Sequence, residues 1–250
     1  MKLTGNTAIV TGATKGIGRA MADGLAKEGA NIVVVSRTAS DCEAVAAEIQ
    51  STYGVETLAL PTDVTDLAKI EEMVQQTLHR FSRIDILINN AGAALTKHAL
   101  DLTEEDWDWV IDIDLKSVFF CSQAVAKAMI PGGGGKIVNI ASALAFVGEK
   151  RALPYCVSKG GVLQMTRVLA LEWARYNIRV NALCPGYVET DMTRDEITDE
   201  ATRKVILSRF AIRRYGEASE MAGAAVFLSS DDSSYMTGQS IVIDGGWTSA

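Results

Sequence analysis

The sequence predicts a doubly wound α/β fold, a seven-stranded parallel sheet with helices on both faces. Three observations carry this. Short runs rich in Val, Ile and Leu alternate with longer segments of helical length. The runs are apolar throughout rather than alternating, as strands buried on both faces require. A glycine-rich stretch directly follows the first run and opens the first helical segment, which is how such sheets build a binding crevice.

Taken in order, TAIVT (7–11) reads as the first strand and passes through TGATKGIG (11–18) into a helix at 17–28. NIVVVS (31–36) precedes a helix at 40–52, ETLAL (56–60) one at 66–80, and DILIN (85–89) a long one at 103–129. KIVNIA (136–141) follows the Gly run 132–135, a loop too short to link domains, and leads to a helix at 154–175. IRVNAL (178–183), a helix at 217–229 and SIVID (240–244) complete the pattern. Only 185–215, polar and irregular, breaks the rhythm; it follows a strand end, where substrate loops and lids sit. We read residues 1–250 as a single domain with 185–215 as its substrate loop or lid.

Bulk properties narrow the function. No stretch of 18 uninterrupted apolar residues occurs, so no transmembrane helix is expected, and MKLTGNTAIVTG does not read as a signal peptide. Cys42, Cys121, Cys156 and Cys184 are scattered, with no C-x-x-C pair and only two histidines. That argues against a disulfide framework or a metal site and for a reducing cytoplasm. The net charge of −7 argues against nucleic acid as a partner.

The glycine stretch has the spacing G-x-x-x-G-x-G. Gly12 permits the turn, Gly16 lets backbone approach a pyrophosphate, and Gly18 allows close helix–sheet packing, while the helix N-terminus favours phosphate. Thr14, Lys15 and Ile17 share that loop. The second strand ends in Ser36 and Arg37, with no carboxylate for a ribose 2′-hydroxyl. Two cations, Lys15 and Arg37, favour NADP(H), with NAD(H) as the alternative. Asp63 and Val64 lie just past the third strand, and Asn90, Ala91 and Gly92 end the fourth, on the same sheet edge. Asp63 is also a candidate cap for the helix at 66.

TGATKGIG, NNAG (89–92), Ser142 after the fifth strand, YCVSK (155–159) and Pro185-Gly186 occur in that order at matching spacings, and the likeness extends to IDGGW (243–247). Together they resemble the short-chain dehydrogenase/reductase family, and most of all its gluconate 5-dehydrogenase-like, sugar-acid group. The resemblance implies that Tyr155 exchanges a proton, Ser142 orients the substrate oxygen, and Lys159 holds the nicotinamide ribose. It further implies that Pro185 and Gly186 turn the chain beneath the nicotinamide, that Val188 and Thr190 bond its carboxamide, and that the chain forms a homotetramer. Thr190 is equally a candidate helix cap. The residues agree with this reading: Tyr155 and Lys159 share a helix face at i, i+4, Pro154 suits the first turn, and a nearby ammonium is expected to lower the phenol's pKa toward the working pH.

One position departs from the family pattern. Before LKSVF, where the family usually has asparagine in a proton relay, this chain has Asp114. A carboxylate accepts hydrogen bonds but does not donate them, and it offsets the effect of Lys159 on Tyr155. The expected substrate is a small polar alcohol or ketone, contacted by Ala93, Leu95, Leu144, Phe146, Tyr187 and the 191–210 segment, with Arg151 and Arg194 as candidate carboxylate ligands. The runner-up activity is 3-oxoacyl-acyl-carrier-protein reduction, whose enzymes usually carry an Arg-Asp pair soon after NNAG, absent from NNAGAALTKHAL. A non-catalytic NADP sensor is the third reading, disfavoured by intact Ser142, Tyr155 and Lys159. Trp107 and Trp109 are expected in core or subunit interface, His79 and His98 at the surface, and Cys156 off the catalytic face.

Overall fold

The computed structural model describes residues 1–194 and 198–249. Seven parallel strands stand in the order β3-β2-β1-β4-β5-β6-β7. They are β1 (Thr7–Thr11), β2 (Asn31–Ser36), β3 (Thr57–Pro61), β4 (Ile86–Asn89), β5 (Gly135–Ile140), β6 (Ile178–Pro185) and β7 (Ser240–Ile243). The order reverses between β1 and β4, which opens a crevice at the carboxyl ends of the strands, where such folds bind ligands.

Side-chain alternation within each buried strand divides the core into two layers. Ala8, Val10, Ile32, Val34, Ile86 and Ile88 face α1 (Gly16–Lys27), α2 (Ala39–Tyr53) and a late helix, Ser219–Ser229. Ile9, Val33, Val35 and Leu87 face α3 (Leu67–Phe81) and two long helices that begin at Ser117 and Leu153. Every residue of β1 is buried, so its unbroken apolar run is that of a central strand covered on both sides.

Between the two long helices and the sheet runs a chain of buried polar groups. The Asn89 amide of β4 donates to Ser122 Oγ and to Asn139 Oδ1 of β5, each at 2.9 Å, and the Asn139 amide donates to Thr166 Oγ1 at 2.9 Å. Every member finds a partner, as burial demands.

The segment 103–129 is not one helix. It forms α4 (Glu104–Ile111), a π-helical turn (Asp112–Lys116) and α5 (Ser117–Met129). In the π turn the Ser117 N–H donates to the Asp112 carbonyl, five residues back. Such an insertion keeps the apolar periodicity nearly intact, so sequence pattern passes over it. α6 (Leu153–Trp173) carries Pro154 in its first turn, as expected. The segment 185–215 is less irregular than its polarity suggests, for it contains α7 (Glu200–Ser208), capped by Asp199 accepting from the Thr202 N–H. Residues 195–197 of that segment lie outside the described residues. Ser219–Ser229 is α8. Among the described residues no helix is long and apolar enough to cross a membrane, and no group of three His, Cys, Asp or Glu could hold a metal ion.

Candidate active site

The crevice at the sheet switch point is a cleft of about 530 Å³. Its floor is the β1–α1 loop. Gly12 and Gly16 have φ of +65° and +56°, conformations that side chains other than glycine's resist. A Cβ on Gly18 would lie 2.2 Å from the Gly12 carbonyl oxygen, so the loop closes on the helix only because residue 18 lacks one. Lys15 precedes α1 with no side-chain cap, which leaves the first-turn N–H groups facing the cleft for a phosphate. The loop is tied to both neighbouring strands. The Asn90 side-chain amide donates to the Thr11 and Gly12 carbonyls at 3.0 and 3.2 Å, and Thr14 Oγ1 donates to Ser36 Oγ at 3.2 Å.

Fourteen positions assigned to the cofactor line this one cleft, Gly12, Thr14, Lys15, Gly16, Ile17, Gly18, Ser36, Arg37, Asp63, Val64, Asn90, Ala91, Gly92 and Thr190, together with Ala93 from the expected substrate contacts. Asp63 does not cap α3; Asp66 does, accepting from the Ala68 and Lys69 N–H groups. Asp63 instead accepts from the N–H and hydroxyl of Thr65, which hold its carboxyl below the usual range, with Arg37 adding a smaller push the same way. Pro185, Gly186 and Val188 are not among the lining residues. Pro185 ends β6, Gly186 donates its N–H to the Ile243 carbonyl, and the Val188 side chain is buried in the core. Trp109, expected in core or interface, is exposed and lines the cleft with Asp112 and Ile113. Asp191 and Met192, from the 191–210 segment expected to contact the substrate, also line the cleft.

The catalytic candidates Ser142, Tyr155, Lys159 and Asp114 are not among the lining residues either; Asp114 and Lys159 stand behind the wall at Gly92, where a Cβ would lie 3.4 Å from Asp114 Oδ1 and 3.6 Å from Lys159 Nζ. Ser142 follows β5 and caps a 3₁₀ turn, its Oγ accepting the Leu144 N–H at 3.1 Å. That bond occupies an oxygen lone pair and leaves the hydroxyl hydrogen to be donated elsewhere. Tyr155 and Lys159 sit one turn apart on α6, with the lysine ammonium 5.3 Å from the phenol ring centroid. Lys159 is buried; its Nζ donates to the Ile140 carbonyl at 3.3 Å and lies 3.2 Å from Asp114 Oδ2. The π turn delivers Asp114 there. Leu115 packs against Gly161, where a Cβ would come within 3.0 Å of both Leu115 methyls. Asp114 is fully buried, and its Oδ1 accepts the Ala93 N–H at 2.7 Å, joining it to the cleft wall.

The electrostatics differ from expectation at one point. The Tyr155 phenol lies above its ordinary range, not below it. Burial is the main cause. The Lys159 charge and a hydrogen bond with Ser142 pull it down, while the Asp114 charge pushes it up. Burial also raises the Asp114 carboxyl, against the opposing pull of Lys159 and the Ala93 N–H. For Lys159 burial works against the charge, and Asp114 and Tyr155 more than restore it, so the ammonium form is favoured.

Around this centre, Tyr187, Phe210, Tyr215 and Trp247 pack into an aromatic cluster with Ala143, next to Ser142. Leu144 and Val147 pack against it, and Phe146 is exposed. The Lys97 N–H donates to the carbonyl of Arg151, a non-glycine residue at φ +66°, joining the loops after β4 and β5. Arg209 pairs with Glu149, which ties the end of α7 to the same place. His79 and His98 are exposed, as expected.

Comparison with known proteins agrees with this geometry. Residues 12–248 match the family described as Enoyl-(Acyl carrier protein) reductase. The 2-dehydro-3-deoxy-D-gluconate 5-dehydrogenase of Escherichia coli K12 is 43% identical over 246 residues, 98% of this chain and 96% of that protein. A 3-oxoacyl-acyl-carrier-protein reductase from Thermotoga maritima is 40% identical over 98% of this chain and 99% of its own. The crystal structure of a gluconate 5-dehydrogenase from Burkholderia cenocepacia J2315, in complex with NADP and tartrate, superposes with a TM-score of 0.96. It is 36% identical, over 100% of this chain and 97% of that one. On sequence, fold and site together, the chain belongs to the short-chain dehydrogenase/reductase family.

Proposed function

We propose that this protein is an NADP(H)-dependent oxidoreductase that interconverts a secondary alcohol and its ketone on a small polar substrate of the sugar-acid class. One observation supports the reading most: Ser142, Tyr155 and Lys159 lie together, with the Lys159 ammonium close behind Gly92 in the wall of a glycine-floored cleft. A dinucleotide fits that cleft, since the glycines admit backbone to the phosphates and α1 offers uncapped N–H groups. Lys15 and Arg37, with no carboxylate at the β2 tip, favour a 2′-phosphate, and the Burkholderia relative was solved with NADP.

The bound dinucleotide would supply or accept the hydride. The chain's own residues do the rest. In reduction the Ser142 hydroxyl donates to the substrate oxygen as negative charge develops there. The Tyr155 O–H gives its proton to that oxygen, and in the reverse direction the phenolate takes it back. Lys159 has three N–H donors, of which one is given to the Ile140 carbonyl, while Asp114 Oδ2 lies 3.2 Å away as an ion-pair contact, so a donor is left for a ribose hydroxyl. Gly92 and Ala93 bring the cleft wall against Asp114, which occupies the position of the relay asparagine.

The segment 185–215 serves as the substrate loop in this reading. Its aromatic cluster packs beside Ser142, and Arg209 anchors it to Glu149. Arg194 is paired with Asp191, so Arg151 is the better candidate for a substrate carboxylate. A homotetramer is supported by Val157, Val168 and Leu171, apolar and exposed on α6, with Leu171 84% exposed. Four free cysteines fit a reducing cytoplasm.

The second reading, reduction of an acyl-carrier-protein thioester, is favoured by the Thermotoga relative and weakened by the missing Arg-Asp pair and the net charge of −7. A panel decides between them: oxidation of NADPH and NADH against keto-gluconates, simple diketones and acetoacetyl thioesters. We expect keto-gluconate with NADPH to be turned over fastest and Tyr155→Phe to be inactive while still binding NADPH by fluorescence. Preference for the thioester would select the second reading, and full activity of Tyr155→Phe would overturn the mechanism.

A further inference from the structure

We propose that Asp114 and Lys159 act as one neutral ion pair, which cancels the lysine's help to Tyr155 and keeps that residue a proton donor near neutral pH, favouring ketone reduction over alcohol oxidation. The proposal rests on the reading of Tyr155 as the proton-exchanging group. It begins with placement. Asp114 has no exposure to solvent, and its Oδ2 lies 3.2 Å from Lys159 Nζ as an ion-pair contact. Its other oxygen is fixed by the Ala93 N–H, so the carboxylate cannot rotate away without losing that bond. The π turn and the glycine at 161 hold the backbone that presents it.

An amide at this position would leave the ammonium unbalanced beside the phenol, and a cation there favours the phenolate. A carboxylate makes the pair neutral overall and removes most of that field. The charged and titratable groups facing Tyr155 and Lys159 are few. Beside Tyr155 on α6 are Lys159 and the Cys156 thiol; from the π turn comes Asp114. From β6, Cys184 faces Lys159, its thiol pushed up to about 12 by burial and therefore uncharged, and Asp244 after β7 faces Cys184. Tyr155 lies above its ordinary range, first through burial, with the Asp114 charge adding to the rise against the pull of Lys159.

The consequence is directional. Alcohol oxidation starts from the phenolate: its oxygen takes the hydroxyl proton as the carbinol C–H pair leaves as hydride to the oxidised dinucleotide. Ketone reduction starts from the phenol, whose O–H breaks as the carbonyl carbon receives hydride from the reduced dinucleotide. Holding the phenol protonated therefore favours the second at neutral pH.

The test is the ultraviolet tyrosinate titration of Tyr155, taken as the difference between each protein and its Tyr155→Phe form, in the presence and absence of Asp114→Asn. Asp114→Asn is expected to lower the Tyr155 midpoint by about one pH unit or more. The pH midpoint of kcat for oxidation should fall with it, raising oxidation at neutral pH about tenfold. A midpoint that stays in place, or rises, overturns the proposal. Infrared spectra of the unsubstituted protein give an independent reading: a protonated-carboxyl stretch persisting at neutral pH would show an uncharged Asp114 and also overturn it. Were Tyr155→Phe to remain active, the catalytic reading would fail, while the titration would still report on the pair.

Discussion

Lys159–Asp114 and Lys15–Asp191 are both ammonium–carboxylate contacts at 3.2 Å, and both join separate elements beside the same cleft. The side chains of the first pair are 6% and 0% exposed; those of the second are 73% and 44% exposed. At equal separation the attraction is several times stronger in a protein interior than in water, and so is the cost of separating the charges. The outer pair is accordingly exchangeable: Lys15 can leave Asp191 for a phosphate, and Asp191 retains Arg194. The inner pair is committed, and in the mechanism proposed above its charge acts on chemistry rather than on binding.

The largest expected break in this comparison is Lys159→Met. It leaves a buried carboxylate without its partner and should cost about 3–5 kcal/mol in denaturant unfolding, with turnover lost. Adding Asp114→Asn should recover most of the stability and none of the turnover, and a double variant no more stable than the single one would show that the two residues are not coupled. Lys15→Ala comes next. It should alter stability by less than about 1 kcal/mol yet raise KM for NADPH about tenfold, with KM for NADH unchanged. An equal rise for both cofactors would remove Lys15 from 2′-phosphate recognition. The smallest effect belongs to Asp191→Asn. A hydrogen bond from Lys15, with the charges of Arg194 and Lys15, holds the Asp191 carboxyl below its usual range. Its contribution is therefore complete above about pH 4 and fades as acid titrates the folded protein below that. The substitution should flatten stability slightly on the acid side at low salt and do nothing in molar salt, which thermal melts at two ionic strengths would measure.

The same division governs what could be read in advance. All seven strands are visible in the sequence, the inner five because a strand buried on both faces has to be continuously apolar, the half-exposed edge strands β3 and β7 because they too are short apolar runs; β1 and β2 match residue for residue, and the others differ by one or two residues at their ends. The glycine loop was legible because backbone geometry forbids other residues at Gly12 and Gly18. Tyr155 and Lys159 were legible through the resemblance of YCVSK and its companion motifs to the family, with which their helical spacing agrees. The π turn was not, since a single extra residue in one helical turn has no composition of its own, and with it went the roles of Trp109, Asp112 and Ile113 in the cleft wall. The direction of the Tyr155 shift was missed for another reason. Its leading cause is burial, a property of the assembled site, whereas the neighbour four residues away is written in the chain.

The polar chain through Asn89, Asn139, Ser122 and Thr166 has a mechanical consequence. Lys159 lies seven residues before Thr166 on α6, and Asp114 eight residues before Ser122, so both charges are placed from a common datum inside the sheet. Sliding either helix along its axis would strand a buried amide or hydroxyl, at a cost of about 1–3 kcal/mol for each group. Shear between the helices is thereby closed off as a route of motion. Whatever opens to admit a substrate must bend in the loops after β4, β5 and β6, while the distance between ammonium and carboxylate stays as the sheet sets it.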